Sequence, residues 1–194
     1  MKTLSSNSQA IPQSWIDHFI QFEGNSPHFY LDGVHIVTIG IGCTISKSAS
    51  IKLPFAVKNT NLRATSFEIA KDFDEISNKP AGQKLSYYES FCKTYLPEQY
   101  ILSLFDERLQ QFLAQINARF PLLKDFPESA QLVFVDMAFN LGISGLCTKF
   151  PKFLNHFLDQ DFKLAATECE RNGIGKARND WTKETLISLG DKNA

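Results

Sequence analysis

The sequence of 194 residues has no excess of charge of either sign, with 20 Lys and Arg against 21 Asp and Glu. Proteins that are attracted to nucleic acid or to an anionic membrane surface typically carry a basic face, and this balance indicates none. Hydrophobic residues make up 43% and charged residues 21%, which is ordinary for a folded chain and argues against disorder. We therefore expect a globular protein with no nucleic-acid partner.

Long apolar runs are also missing. The opening stretch, MKTLSSNSQAIPQSW, has no apolar core of the kind that signal peptides need. Elsewhere no uninterrupted apolar run approaches the roughly 20 residues that cross a bilayer. We expect synthesis in the cytoplasm without a signal peptide and no membrane insertion. A target outside the cytoplasm would then be reached by another route.

Patterns for metals, phosphates and dinucleotides are absent as well. The four histidines show no H-E-x-x-H or comparable ligand spacing, and the glycine patterns of phosphate and dinucleotide loops do not occur. The four cysteines are widely separated and form no C-x-x-C pair. We interpret them as buried or free thiols, not as a disulfide framework or zinc site. The sequence predicts no metal and no cofactor.

Helical spacing dominates the chain apart from one region near its N-terminus. Ser14 can cap a helix that runs to Phe22, and Gly24 then acts as the terminator. From His28 to Gly42 the apolar period changes to two, with a turn at Asp32-Gly33, which predicts a β-hairpin. Residues 43–64 indicate loop or ragged strand. Further helices are predicted over 65–77, 97–118, from 127 through 139, 150–158, 162–170 and 178–189.

These elements predict one α+β domain over 1–194. A small lobe, 14–64, holds the first helix and the hairpin, and a larger helical lobe occupies 65–190. In the helix over 65–77 we expect Phe67, Ala70 and Phe73 to form the apolar face.

Glu23 and Asp32 are candidate catalytic acids. Glu23 stands at a helix C-terminus, where partial negative charge disfavours an ionised carboxylate, and this suits a general acid. Asp32 lies nine residues on, in a dipeptide that is also common in ordinary turns. Thr38 can be read as a plain β-branched strand residue. Two acids on separate elements, with a hydroxyl between them, are nevertheless what glycosidic bond cleavage requires.

The hairpin offers further candidates for substrate binding. Thr38, Gly40 and Gly42 share one predicted strand face, and a face of Thr and Gly lets a large ligand approach the backbone closely. His35, between Asp32 and Thr38, either lines the binding cleft or is a solvent-exposed strand residue.

The spacing of Glu23-Gly24, Asp32, Thr38 and the run TIGIG at 38–42 resembles the active-site segment of the phage-type lysozymes. AFNLG at 138–142 resembles the family's central buried helix and the turn after it. RNGI at 171–174 with ARN at 177–179 is similar to the family's C-terminal Arg-bearing segment. Together these matches cover residues 14–42 and about 97–190.

The resemblance implies a lysozyme-like fold with an active-site cleft between the two lobes. It implies a muramidase, a glycoside hydrolase that cleaves the β-1,4 bond between N-acetylmuramic acid and N-acetylglucosamine in peptidoglycan. Glu23 would be the general acid, and Asp32 and Thr38 would hold the attacking water. Such enzymes are thought to invert the anomeric centre, with carboxyl groups roughly 6.5–9.5 Å apart.

The resemblance also implies supporting residues. Asn140 would hydrogen-bond the sugar, and Arg178 would reach Glu23 and hold it, with Arg171 and Lys176 as competitors for that role. Phe150 could form a cleft wall, or belong to the core. The candidate substrate-binding residues are therefore Asn140, Gly40, Gly42, His35 and Phe150.

Three departures from the family pattern bear on biology. Cys43 stands where smaller members often carry a histidine, residues 44–96 are longer than the compact pattern needs, and the charge is nearly neutral where the phage enzymes are basic. These features are more similar to pesticin-like bacteriocins and secreted antibacterial effectors. The candidate roles are an effector, with a secretion apparatus and an immunity protein as partners, or a phage endolysin released through a holin. A non-catalytic wall-binding or interaction module is the alternative function.

Overall fold

The structure, a computed structural model, describes residues 10–192. It is an α+β protein that is mostly helical with small antiparallel sheets, which confirms the predicted mixed class. The chain divides into two compact units, Met1–Gln110 and Gln111–Ala194. The first unit extends past residue 64, so that helices which the sequence analysis assigned to the helical lobe belong with the sheet.

The first unit contains the sheets and the shorter helices. Its elements are α1 (Gln13–Glu23), β1 (Ser26–Leu31), β2 (Val37–Gly40), β3 (Cys43–Thr44), α2 (Lys47–Ser50), β4 (Ala56–Val57), α3 (Ser66–Ser77), α4 (Leu85–Glu89), β5 (Thr94–Tyr95) and the first part of α5 (Glu98–Arg119). The second unit contains the rest of α5, a 3₁₀ turn (Pro121–Asp125), α6 (Glu128–Lys149), α7 (Pro151–Leu158), α8 (Phe162–Thr167) and α9 (Lys176–Lys192).

Helix α1 brings Glu23 to the edge of the sheet. The helix follows Pro12, so that the prediction of Ser14 as its cap is wrong: Ser14 lies inside the first turn. Proline suits this end because it fixes φ and the first amides need no partner within the helix. Gly24 adopts a φ of 77° and donates its N–H to Ile20 O at 2.9 Å, which ends the helix directly after Glu23.

The first sheet has three strands in the order β1-β2-β3, all antiparallel. Tyr30 lies opposite Thr38 across β1 and β2, and Thr38 lies opposite Thr44 across β2 and β3. Side chains of directly opposed residues project from the same face of a sheet. One face therefore carries the row Tyr30, Thr38 and Thr44.

The second strand is shorter than its sequence period suggests. It ends at Gly40, and Ile41 and Gly42 form the turn into β3, a strand that the sequence analysis left within the loop or ragged-strand region. Gly40 and Gly42 have φ of 61° and 63°, a region that side-chain-bearing residues rarely enter. The expectation that Thr38, Gly40 and Gly42 share one regular strand face is therefore wrong.

The predicted helix over 65–77 is confirmed, but its buried face differs from the predicted one. Thr65 and Glu68 form a reciprocal capping box at the start of α3. The buried side chains are Ile69, Asp72 and Ile76. Phe67 is 77% exposed, because burial follows the surface that meets the sheets and not the bulkiest apolar residues.

Helix α6 is the core of the second unit. Its residues from Leu132 to Ala138 are all buried, and Gly142 breaks the helical path with a φ of 71°. Within 10–192 it is the one helix that is long and apolar enough to cross a membrane by length and composition, and half of the tested window is buried in the protein. All four cysteines are free thiols, as predicted.

Candidate active site

Glu23 packs against the turn between β2 and β3. A Cβ placed on Gly42 would lie 3.4 Å from Glu23 Oε2 and 3.6 Å from its Cβ and Cγ atoms. These are ordinary contact distances, so the Glu23 side chain lies directly against the Gly42 backbone, and the φ of 63° there is what favours glycine. The helix end and the hairpin that the sequence analysis singled out therefore meet within the first unit.

Tyr30 adds a third group to this contact. Burial raises the pKa of its phenol well above the ordinary value, and the nearby negative charges of Glu23 and Asp32 raise it further. A hydrogen bond with the backbone of Gly42 opposes those effects. The phenol is therefore neutral at physiological pH and lies within electrostatic range of both candidate acids.

Asp32 organises the bend of the hairpin. Its Oδ1 accepts hydrogen bonds from the backbone N–H groups of Val34 and Ile36, each at 2.9 Å. This is the ordinary turn role that the dipeptide suggested. Among residues 10–192, Oδ2 has no hydrogen-bond partner, so that one oxygen holds the turn and the other is available to a ligand.

Thr38 is 2% exposed, and its hydroxyl donates to Ile36 O at 3.1 Å. Because the proton is used in that bond, the hydroxyl can act towards a ligand only as an acceptor. Thr38 and Asp32 are linked through Ile36, since the backbone N–H of that residue binds Asp32 and its carbonyl binds Thr38.

Gly40 packs against the start of α5. A Cβ on Gly40 would lie 2.7 Å from Ile101 Cγ2, so that a residue of α5 occupies the space beside this glycine. The interpretation of Gly40 as a position of ligand approach stays a prediction, and the structure adds a packing explanation for this glycine. Gly40 is a packing position, and Gly42 faces Glu23.

The neighbours of the hairpin differ from expectation in two further respects. His35 is an exposed residue of the bend with a φ of 65°, neither a strand residue nor a buried one. Cys43, in place of a histidine, is buried, and burial raises the pKa of its thiol to about 11. A neutral thiol supplies no charge at this position.

In the second unit, Asn140 belongs to a buried cluster that we call the Asp136 network: Asp136, Asn140, Arg171, Arg178 and Thr182. Asp136 is fully buried; its Oδ2 accepts from Arg171 Nη1 at 2.8 Å, and its Oδ1 from Arg178 Nε and Nη2 at 2.9 and 2.7 Å. Arg171 also donates to Asn140 Oδ1 and, at 2.8 Å, to Thr182. The guanidinium must face an oxygen, so the Asn140 amide N–H₂ points away from it.

This network bears on the three candidates for holding Glu23. Arg171 is committed to Asp136 and Asn140, and Lys176 pairs with Asp180 at 2.5 Å along α9. Arg178 uses Nε and Nη2 on Asp136. Its contact with Glu23 stays a prediction.

Phe150 lies at the junction of α6 and α7 and is half-buried. It lines a cavity of about 400 Å³ together with Lys149, Lys152, Glu168 and Glu170. The cavity wall is therefore aromatic with charges of both signs.

Two residues that the structure makes prominent were missed from the sequence. Tyr30 had a signal, since it lies in the same predicted hairpin as Asp32 and Thr38 and only two residues before Asp32. Asp136 had one too: a single acid in the apolar run around it needs a basic partner. Neither signal identifies the residues that the Tyr30 and Asp136 side chains contact.

Models of known protein families give no match to the chain, and no curated protein matches it. The site consists of a carboxyl group at a helix end, Glu23, and a second carboxyl group on a hairpin, Asp32. The hydroxyl groups of Tyr30 and Thr38 belong to the same hairpin. Two acids and a bound water are sufficient for general acid–base hydrolysis.

Proposed function

We propose that the protein is a peptidoglycan hydrolase, a muramidase that cleaves the β-1,4 bond between N-acetylmuramic acid and N-acetylglucosamine. The observation that carries the proposal is the contact of Glu23 with Gly42, which joins the helix end to the hairpin bearing Asp32 and Thr38. The motif spacing supports it, because these three residues match the active-site segment that the sequence resembles.

In the proposed reaction Glu23 acts as general acid. Its carboxyl proton passes to the glycosidic oxygen as the bond from that oxygen to the anomeric carbon breaks. A water attacks the anomeric carbon from the opposite side and loses a proton to Asp32 Oδ2. The products are two chain ends, with the new hydroxyl in the α configuration, and proton exchange with solvent restores both carboxyl groups.

The proposal includes a lysozyme-like fold with the glycan strand in a cleft between the two lobes. Asn140 is the proposed sugar contact of the helical part, through its amide N–H₂, since Arg171 uses only the amide oxygen. Arg178 is proposed to hold Glu23, and Phe150 to contact the substrate.

We propose an antibacterial role against the cell wall, as a secreted effector or as a phage endolysin. The segment 44–96 supports the effector, since it folds into ordered elements that the compact family pattern lacks. An effector would be neutralised by an immunity protein of the producing cell. Growth of a host that directs the protein to its periplasm, with and without the product of an adjacent gene, separates the two roles.

The activity is tested on purified peptidoglycan, by loss of turbidity and by release of new reducing ends. Glu23→Gln keeps the size of the side chain and removes the acid, so we expect a loss of about 10²- to 10⁴-fold. Glu98→Gln, at an exposed glutamate of the same unit, is the matched control and should match the wild type. Equal activity of wild type and Glu23→Gln, or binding without turnover by both, would favour a non-catalytic wall-binding module.

A further inference from the structure

Tyr30 lies on the same face of the sheet as Thr38 and close to Asp32, the two residues proposed to hold the water. It lies directly opposite Thr38 in the register of β1 and β2. Asp32 follows two positions later, just past the end of β1, and its charge acts on the Tyr30 phenol. The strand register thus places the phenol beside Thr38 on geometric grounds alone.

The hydrogen bonds at the Tyr30 hydroxyl leave its proton unassigned. The backbone of Gly42 lowers the phenol pKa, which is the effect of an N–H close to the phenol oxygen. The part of the chain that the structure describes supplies no acceptor for the phenol proton. Burial and the nearby carboxylates outweigh the effect of Gly42 and keep the phenol neutral. Its proton is therefore present and can be donated to a ligand.

The hydrogen bonds of the attacking water can be counted in the same way. It has two protons and two lone pairs, and one lone pair must face the anomeric carbon. Asp32 Oδ2 can accept one proton, and the Thr38 hydroxyl can accept the other because its own proton is bound to Ile36 O. The remaining lone pair needs a donor, and neither Asp32 nor Thr38 can supply one.

We propose that Tyr30 is the donor that fixes the attacking water. This inference rests on the proposed function. Tyr30 orients the water, whereas Glu23 and Asp32 transfer the protons. The water would then make hydrogen bonds to Tyr30, Thr38 and Asp32, and its remaining lone pair would face the anomeric carbon.

The test is Tyr30→Phe, which removes one oxygen atom and keeps the ring that packs near Tyr88. We expect kcat on peptidoglycan fragments to fall about 10- to 100-fold, the effect of one lost hydrogen bond to a group that is left unsatisfied. KM should stay within about twofold, because the water is not part of substrate affinity. Tyr95→Phe is the matched control: it removes a hydroxyl that binds Asn61 at 2.8 Å in the same unit, and should leave kcat unchanged.

A second measurement separates water positioning from a structural effect. In a Thr38→Val background, Tyr30→Phe should lower kcat by much less than it does alone, because both hydroxyls act on one water. If the two losses multiply, or if Tyr30→Phe raises KM and leaves kcat unchanged, the inference is wrong. An active wild type with an equally active Tyr30→Phe overturns the inference and leaves the proposed function intact. An inactive wild type overturns both.

Discussion

Gly40 distinguishes two explanations of the TIGIG run, because a methyl group there has different consequences under each. If the glycine exists to let a sugar approach, Gly40→Ala should weaken substrate binding in a stable protein. If it exists because Ile101 occupies the space, the same change should weaken folding. The structure predicts the second outcome, since the added Cβ would lie 2.7 Å from Ile101 Cγ2.

The size of the effect follows from two costs. Gly40 has a φ of 61°, where an alanine costs about 1–2 kcal/mol relative to its preferred conformations. Ile101 is 2% exposed and has little room to yield, so that overpacking adds about 1–3 kcal/mol. We expect Gly40→Ala to lower the free energy of unfolding by about 2–5 kcal/mol. For a unit of this size that corresponds to a fall in Tm of roughly 8–20 °C.

The assay is thermal and urea unfolding followed by circular dichroism, with two comparisons. Gly33→Ala is the control, because its Cβ would meet nothing within 4 Å and its φ is not in the left-handed region; its Tm should equal that of the wild type or rise slightly. In an Ile101→Ala background the cost of Gly40→Ala should shrink by about 1–3 kcal/mol, since Cγ2 is gone. A Gly40→Ala protein that melts like the wild type and has a raised KM would refute the packing explanation.

Two predictions concern other carboxylates. Asp32→Asn keeps the Oδ1 acceptor for the N–H groups of Val34 and Ile36, so the Tm should stay nearly constant while turnover falls about 10²- to 10⁴-fold; loss of folding with turnover per folded molecule unchanged would make the residue structural. Asp136→Asn leaves two buried guanidiniums without their anion and should cost about 3–5 kcal/mol in urea unfolding. Asp180→Asn breaks an exposed pair and should cost less than about 1 kcal/mol; similar costs for the two variants would contradict the role given to burial.

The local parts of the fold could be predicted because local rules produce them. Gly24 ends α1, the Asp32-Gly33 bend turns the hairpin, and the long helices follow their apolar spacing. Failures occurred where tertiary contacts compete with local preference. Phe67 has the right spacing for a core residue and is exposed, because the partner surface of α3 is set by the sheet and β5.

The candidate site divides along the same line. The amino-acid sequence alone determined that a glutamate ends a helix and that an aspartate and a threonine lie on the following hairpin, since these are facts of order and period. Only the tertiary structure decided that Gly42 contacts the Glu23 side chain and that Gly40 contacts Ile101. It also decided that the buried carboxylate of Asp136 is paired with two arginines. Such contacts join residues far apart in the chain or across a turn, and the space available to each is fixed by neighbours that no local pattern identifies.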